Sequence, residues 1–86
     1  MMATKLVYFA WVRERVGLAE EVVDIPGDIC TVADLVAWLA TRGEHYANAF
    51  AQPDVVRAAI DHTHVKPGTA IAGAREIAFF PPVTGG

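Results

Sequence analysis

Few residues in this chain combine a reactive type with a useful spacing. The candidates are Cys30, the histidines His45, His62 and His64, a scatter of carboxylates, and the terminal carboxylate of Gly86. His62 and His64 lie two apart and would share a face in extended chain, which makes them a possible metal pair. A structural zinc site needs four ligands at recognisable spacings, and His45 and Cys30 do not supply the remainder, so no metal is expected. Cys30 stands just before a helix start, where a thiol becomes more acidic. No histidine neighbours it in sequence and Asp28 opposes a thiolate, so a buried or half-buried structural cysteine is expected instead. Glu14, Glu20, Glu21 and Asp24 are not spaced as an acid–base pair, and no phosphate-binding glycine pattern is present.

The final stretch, Pro81-Pro82-Val83-Thr84-Gly85-Gly86, is different. Paired prolines favour an extended start. Fully extended, this segment reaches about 20 Å at roughly 3.3–3.6 Å per residue. Gly85 and Gly86 have no side chains, so the tip can enter a slot that would reject any Cβ. Gly86 brings an unhindered carboxylate. It is the one group left with chemistry to do.

Something must hold that stretch out. The chain has 86 residues, 53% of them hydrophobic and 20% charged, which makes one globular domain, expected over residues 1–80 with residues 81–86 as its tail. The net charge is −3 and only 7 residues are Lys or Arg, unclustered, so a nucleic-acid partner is not expected. A lone cysteine suits a reducing compartment. No apolar run approaches the ~20 residues of a membrane span and no signal-peptide pattern opens the chain, so a soluble, cytoplasmic protein is expected.

Thr4 to Val12 is rich in β-branched and aromatic residues and is expected to form a strand, with Leu6, Tyr8 and Ala10 on one face. Lys5, Val7, Phe9 and Trp11 form the outer face. Arg13 to Gly17 is a polar connection to a second strand, Glu20 to Ile25, which makes a hairpin with the first. Thr31 caps a helix with Asp34 at its third position, and Val32, Leu35, Val36 and Leu39 form its apolar stripe, stopped near Gly43. Glu44 to Gln52 adds a short helical turn with Tyr46 and Phe50 on one side. Val55 to Asp61 is a third strand, His62-Thr63-His64 a turn, and Glu76 to Phe80 the last strand, running into the tail. Strand–strand–helix–strand–strand implies an α+β layer pair, the helix packed across one sheet face. In the last strand Ile77 and Phe79 point to the core, and Phe80 joins Val7 and Phe9 in an outward apolar patch suited to a partner.

The ending Ala78-Phe79-Phe80-Pro81-Pro82-Val83-Thr84-Gly85-Gly86 closely resembles that of the MoaD-type sulfur carriers, the small subunits of molybdopterin synthase. Phe9-Ala10, Val12-Arg13-Glu14 and Val16-Gly17 match that family's opening; Thr31-Val32-Ala33-Asp34-Leu35 and Ala58-Ala59-Ile60-Asp61 agree more loosely. The resemblance spans essentially the whole chain. One departure is Ala72-Gly73-Ala74-Arg75, where the family usually has an acidic turn; it removes negative charge from a loop expected near the base of the tail.

The resemblance implies a β-grasp, ubiquitin-like fold with a mixed sheet. It also implies a non-catalytic sulfur-donating subunit with no bound cofactor. A ubiquitin-activating-like adenylyltransferase would use ATP to adenylate Gly86, and a sulfur donor would convert it to a thiocarboxylate. Gly85 would pass the large subunit's channel, and Phe80, Pro81, Pro82, Val83 and Thr84, with Phe9 and Val7, would contact partners. The large subunit would transfer the sulfur to cyclic pyranopterin monophosphate, in a heterotetramer of two small and two large subunits. A carrier for another pathway, of the thiamine type, and a ubiquitin-like protein modifier are the alternatives.

Overall fold

A computed structural model describes residues 2–82. The first strand, β1, runs Met2–Tyr8, and the second, β2, Glu20–Ile25. They pair antiparallel from Met2 opposite Ile25 to Val7 opposite Glu20. The strand expected to continue to Val12 ends earlier. After Phe9 the chain turns through Ala10, at φ 52°, into a helix, α1, over Ala10–Val16. Val12 and Val16, four apart, supply its buried stripe, and Gly17 closes it at φ 90° with its N–H on the Arg13 carbonyl. Burial of that stripe overrides the β propensity of Trp11 and Val12.

The helix α2, Val32–Leu39, is the one the sequence announces most clearly. Thr31 Oγ1 accepts from the Asp34 N–H at 3.1 Å, and the Asp34 carboxylate accepts from the Thr31 N–H at 3.2 Å, completing a capping box. Val32, Leu35, Val36 and Leu39 are all buried. A short helix, α3, follows over Glu44–Ala49, delivering Phe50 into the core.

A 3-10 turn at Pro53–Val55 precedes β3, which is confined to Arg57–Ile60, shorter than the strand expected from Val55 to Asp61. The segment expected to be a turn at His62-Thr63-His64 splits. Asp61 and His62, at φ 47° and 72°, form a two-residue hairpin turn, and Thr63–Val65 is a strand, β4. The last strand, β5, is Glu76–Phe80. The sheet order is β2-β1-β5-β3-β4, with β5 parallel to β1 and antiparallel to β3. It is a mixed sheet in an α+β arrangement, the β-grasp pattern, with β5 at its centre.

Alternation along β1 and β5 sets the core. Leu6, Tyr8, Ile77 and Phe79 are essentially inaccessible, as are Val12, Leu35 and Leu39 from the helices. Tyr8 stacks on Phe79 at 6.1 Å between ring centroids, and Phe50 meets Phe79 edge-on at 5.4 Å. One oxygen of Glu21 on β2 accepts from the Tyr8 hydroxyl at 2.8 Å, the Tyr46 hydroxyl at 2.7 Å and the Arg42 guanidinium at 3.3 Å. That carboxylate ties β1, β2, α3 and the loop between α2 and α3 together. Thr4 is also fully buried, and its hydroxyl has no partner among the described residues.

Candidate functional site

The opposite face of the sheet carries the residues expected to meet a partner. On β5 the inward Ile77 and Phe79 alternate with Glu76, Ala78 and Phe80, and on β1 the inward Leu6 and Tyr8 alternate with Lys5 and Val7. Register places Val7 beside Ala78, Ala78 beside Ala59, and Ala59 opposite His64. The middle of this face is therefore floored by small side chains.

A shallow concavity of about 390 Å³ lies on that floor, with Phe9, Phe80 and His64 on its apolar walls and Glu76 and His62 on its polar ones. Phe9 is 49% exposed, unusual for so large an apolar side chain. Its N–H donates to the Phe79 carbonyl at 3.0 Å, which holds it against the end of β5. Val7 is half-buried on the same face but does not line the concavity. Phe80, half-buried, lies with its ring centroid 4.9 Å from that of His64.

The structure thus brings Phe9 and Phe80 together, as the alternation implies. Pro81 and Pro82 leave β5 beside them, half-buried. Val83, Thr84, Gly85 and Gly86, and with them most of the expected tail, lie outside the described residues. Sequence reasoning missed His62, His64 and Ala59 as neighbours of this patch. Their only signal was Asp61-His62 acting as a hairpin turn without glycine.

Polar contacts order the rim. Lys5 Nζ sits 2.9 Å from Glu20 and 3.8 Å from Glu76, and hydrogen bonding to Glu20 raises its pKa. His62 Nε2 lies 3.7 Å from the other Glu76 oxygen. Asp61 Oδ1 accepts from the N–H groups of Arg75 and Glu76 at 3.1 and 2.9 Å, pinning the hairpin turn to the start of β5. Among the described residues no three His, Cys, Asp or Glu side chains converge as a metal centre would require.

Two expectations are corrected. Ala72 to Arg75 precede β5 while the tail follows it, so that turn lies a strand's length away, about 13 Å at ~3.3 Å per residue. Its lost negative charge is not beside the tail base. Cys30 is exposed rather than buried, because the loop before the α2 cap runs over the surface. It borders a second groove of about 380 Å³, formed with Ile25, Pro26, Ile29 and Ile71 at the far end of the sheet.

Fold and face together define a ubiquitin-like β-grasp protein with β5 as its central strand. The ThiS family model matches residues 6–86. The molybdopterin synthase sulfur carrier subunit of Escherichia coli (strain K12) is 35% identical over 82 residues, which cover 95% of this chain and 98% of that protein. The subunit of the same name from Haemophilus influenzae is 33% identical over 94% of this chain and 96% of its own. Among solved structures, SAMP1 from Haloferax volcanii superposes with a TM-score of 0.70 at 26% identity, covering 99% of this chain and 100% of that one. The chain belongs to the ThiS family, alongside the sulfur carrier subunits of molybdopterin synthase. No helix among the described residues is long and apolar enough to cross a membrane.

Proposed function

We propose that this chain is the sulfur carrier subunit of a molybdopterin synthase, acting through the carboxylate of Gly86. The observation that carries the reading is near-complete coverage of two relatives bearing that name. The family match also runs through residue 86.

A carboxylate is a poor acyl donor. An adenylyltransferase partner would join the Gly86 carboxylate to the α-phosphate of ATP with loss of pyrophosphate, giving an acyl-adenylate. A sulfur nucleophile would then displace AMP and leave a thiocarboxylate. The loaded carrier would dock on the large subunit through Phe9, Val7 and Phe80. Pro81 to Thr84 would stretch the chain and Gly85 would pass a narrow channel. Each loaded carrier gives one sulfur to cyclic pyranopterin monophosphate, and water restores the Gly86 carboxylate. The carrier binds no cofactor; ATP is consumed by the activating partner.

Intact-mass measurement after incubation with ATP, activating enzyme and a sulfur source tests the first half. A gain of about 16 Da, one oxygen exchanged for sulfur, is expected, and it must vanish when Gly86 is deleted. Absence of the gain, or its survival in the truncated chain, would sink the reading. Formation of a dithiolene pterin by the loaded carrier plus large subunit tests the second half. Loading without pterin formation points to another sulfur pathway.

A further inference from the structure

The docking face contains two imidazole side chains, His62 and His64. His64 lies against Phe80 at 4.9 Å between centroids, and His62 faces Glu76 at 3.7 Å across the same concavity. Both are exposed in the free chain, so water solvates them in either protonation state. A partner seated on Phe9 and Phe80 would cover the concavity and remove that water.

We infer that His62 and His64 make docking on this face acid-sensitive, the partner binding the neutral imidazoles and rejecting the protonated ones. The inference rests on the docking reading above and adds its regulation. A charge buried without full compensation is costly, whereas a neutral imidazole packed beside Phe80 costs much less to bury. Imidazoles change charge between about pH 5 and 8.

The surrounding groups offer little compensation. On β5, Glu76 lies 3.7 Å from His62 while its other oxygen is 3.8 Å from Lys5 of β1, so it offsets part of a charge on His62 and none on His64. Asp61, in the turn between β3 and β4, commits Oδ1 to two backbone N–H groups. Arg57 of β3 directs its guanidinium to the Asp54 carbonyl at 2.8 Å. Phe9, Ala59 and Ala78 carry no charge. Among the described residues, the ring that a protonated His64 faces is Phe80, a weak contact for a cation when exposed.

The sign follows. If the complex excludes the protonated form, affinity falls as pH drops through the titration, with a limit of about tenfold per pH unit per group. The test measures Kd for the purified chain and its synthase large subunit by calorimetry at pH 7.5 and 5.5. Wild type, a double variant His62→Asn/His64→Gln, and a double variant Phe9→Ser/Phe80→Ser are compared, with circular dichroism confirming that each is folded. Asparagine is chosen at 62 because it tolerates the left-handed turn.

Wild-type affinity is expected to fall at least about fivefold at the lower pH, and the histidine variant to lose most of that change. A wild-type Kd indifferent to pH, or a change retained in the histidine variant, overturns the inference. Binding at pH 7.5 that survives the phenylalanine substitutions overturns the docking reading and the inference with it. Phenylalanine-dependent binding without histidine-dependent pH sensitivity overturns the inference alone.

Discussion

A single oxygen of Glu21 accepts from two phenols and a guanidinium. The Tyr8 end of that arrangement is buried, so deleting the acceptor leaves a hydroxyl without water or partner. Glu21→Ala is therefore expected to cost about 1–3 kcal/mol, read from chemical denaturation midpoints. Thr4 presents the opposite case. Its hydroxyl is fully buried and has no acceptor among the described residues, so the fold already bears the cost of desolvating it. Thr4→Val keeps the shape and removes the hydroxyl; a gain of about 0.5–2 kcal/mol is expected by the same measurement.

At the scale of elements, the features visible in the sequence are the local ones. The Thr31–Asp34 box spans three residues, and the stripe of Val32, Leu35, Val36 and Leu39 needs nothing but helical periodicity. The two missed elements depend on distant partners. The chain leaves β1 at Phe9 because its N–H is held by the Phe79 carbonyl and because Val12 and Val16 reach the core. The turn at Asp61-His62 is held by an Asp61 carboxylate bound to N–H groups 14 and 15 residues later. No window of adjacent residues contains either fact. The Phe9–Phe80 pairing could be inferred from alternation, but the histidine wall could not, since it required the unseen hairpin. Ala10 marks the first junction at φ 52°, a region where a Cβ is strained. Ala10→Gly is expected to raise stability by up to about 1 kcal/mol without displacing α1, checked by denaturation alongside helical signal.

For the whole molecule, the phenol cluster sets an upper pH limit. Burial, then the hydrogen bond to Glu21, raises the Tyr8 pKa far above its ordinary value, and burial raises that of Tyr46. A raised folded-state value favours the protonated phenol in the fold. Its contribution is fully present below the unfolded value of about 10 and is lost as pH climbs beyond it toward the folded one. Denaturation midpoints should hold steady from pH 7 to 9 and fall by pH 11, and Tyr8→Phe should flatten that fall. A midpoint unchanged at pH 11 would contradict the assignment.

The central position of β5 has a mechanical consequence. It is bonded along both edges, parallel to β1 and antiparallel to β3, and Phe80 is its last residue. Tension applied through Pro81 loads both ladders in shear, so their hydrogen bonds resist together instead of unzipping one after another. A strand at the sheet margin would peel. A partner that pulled on the end of this chain along the axis of β5 would load the strand best placed to withstand it.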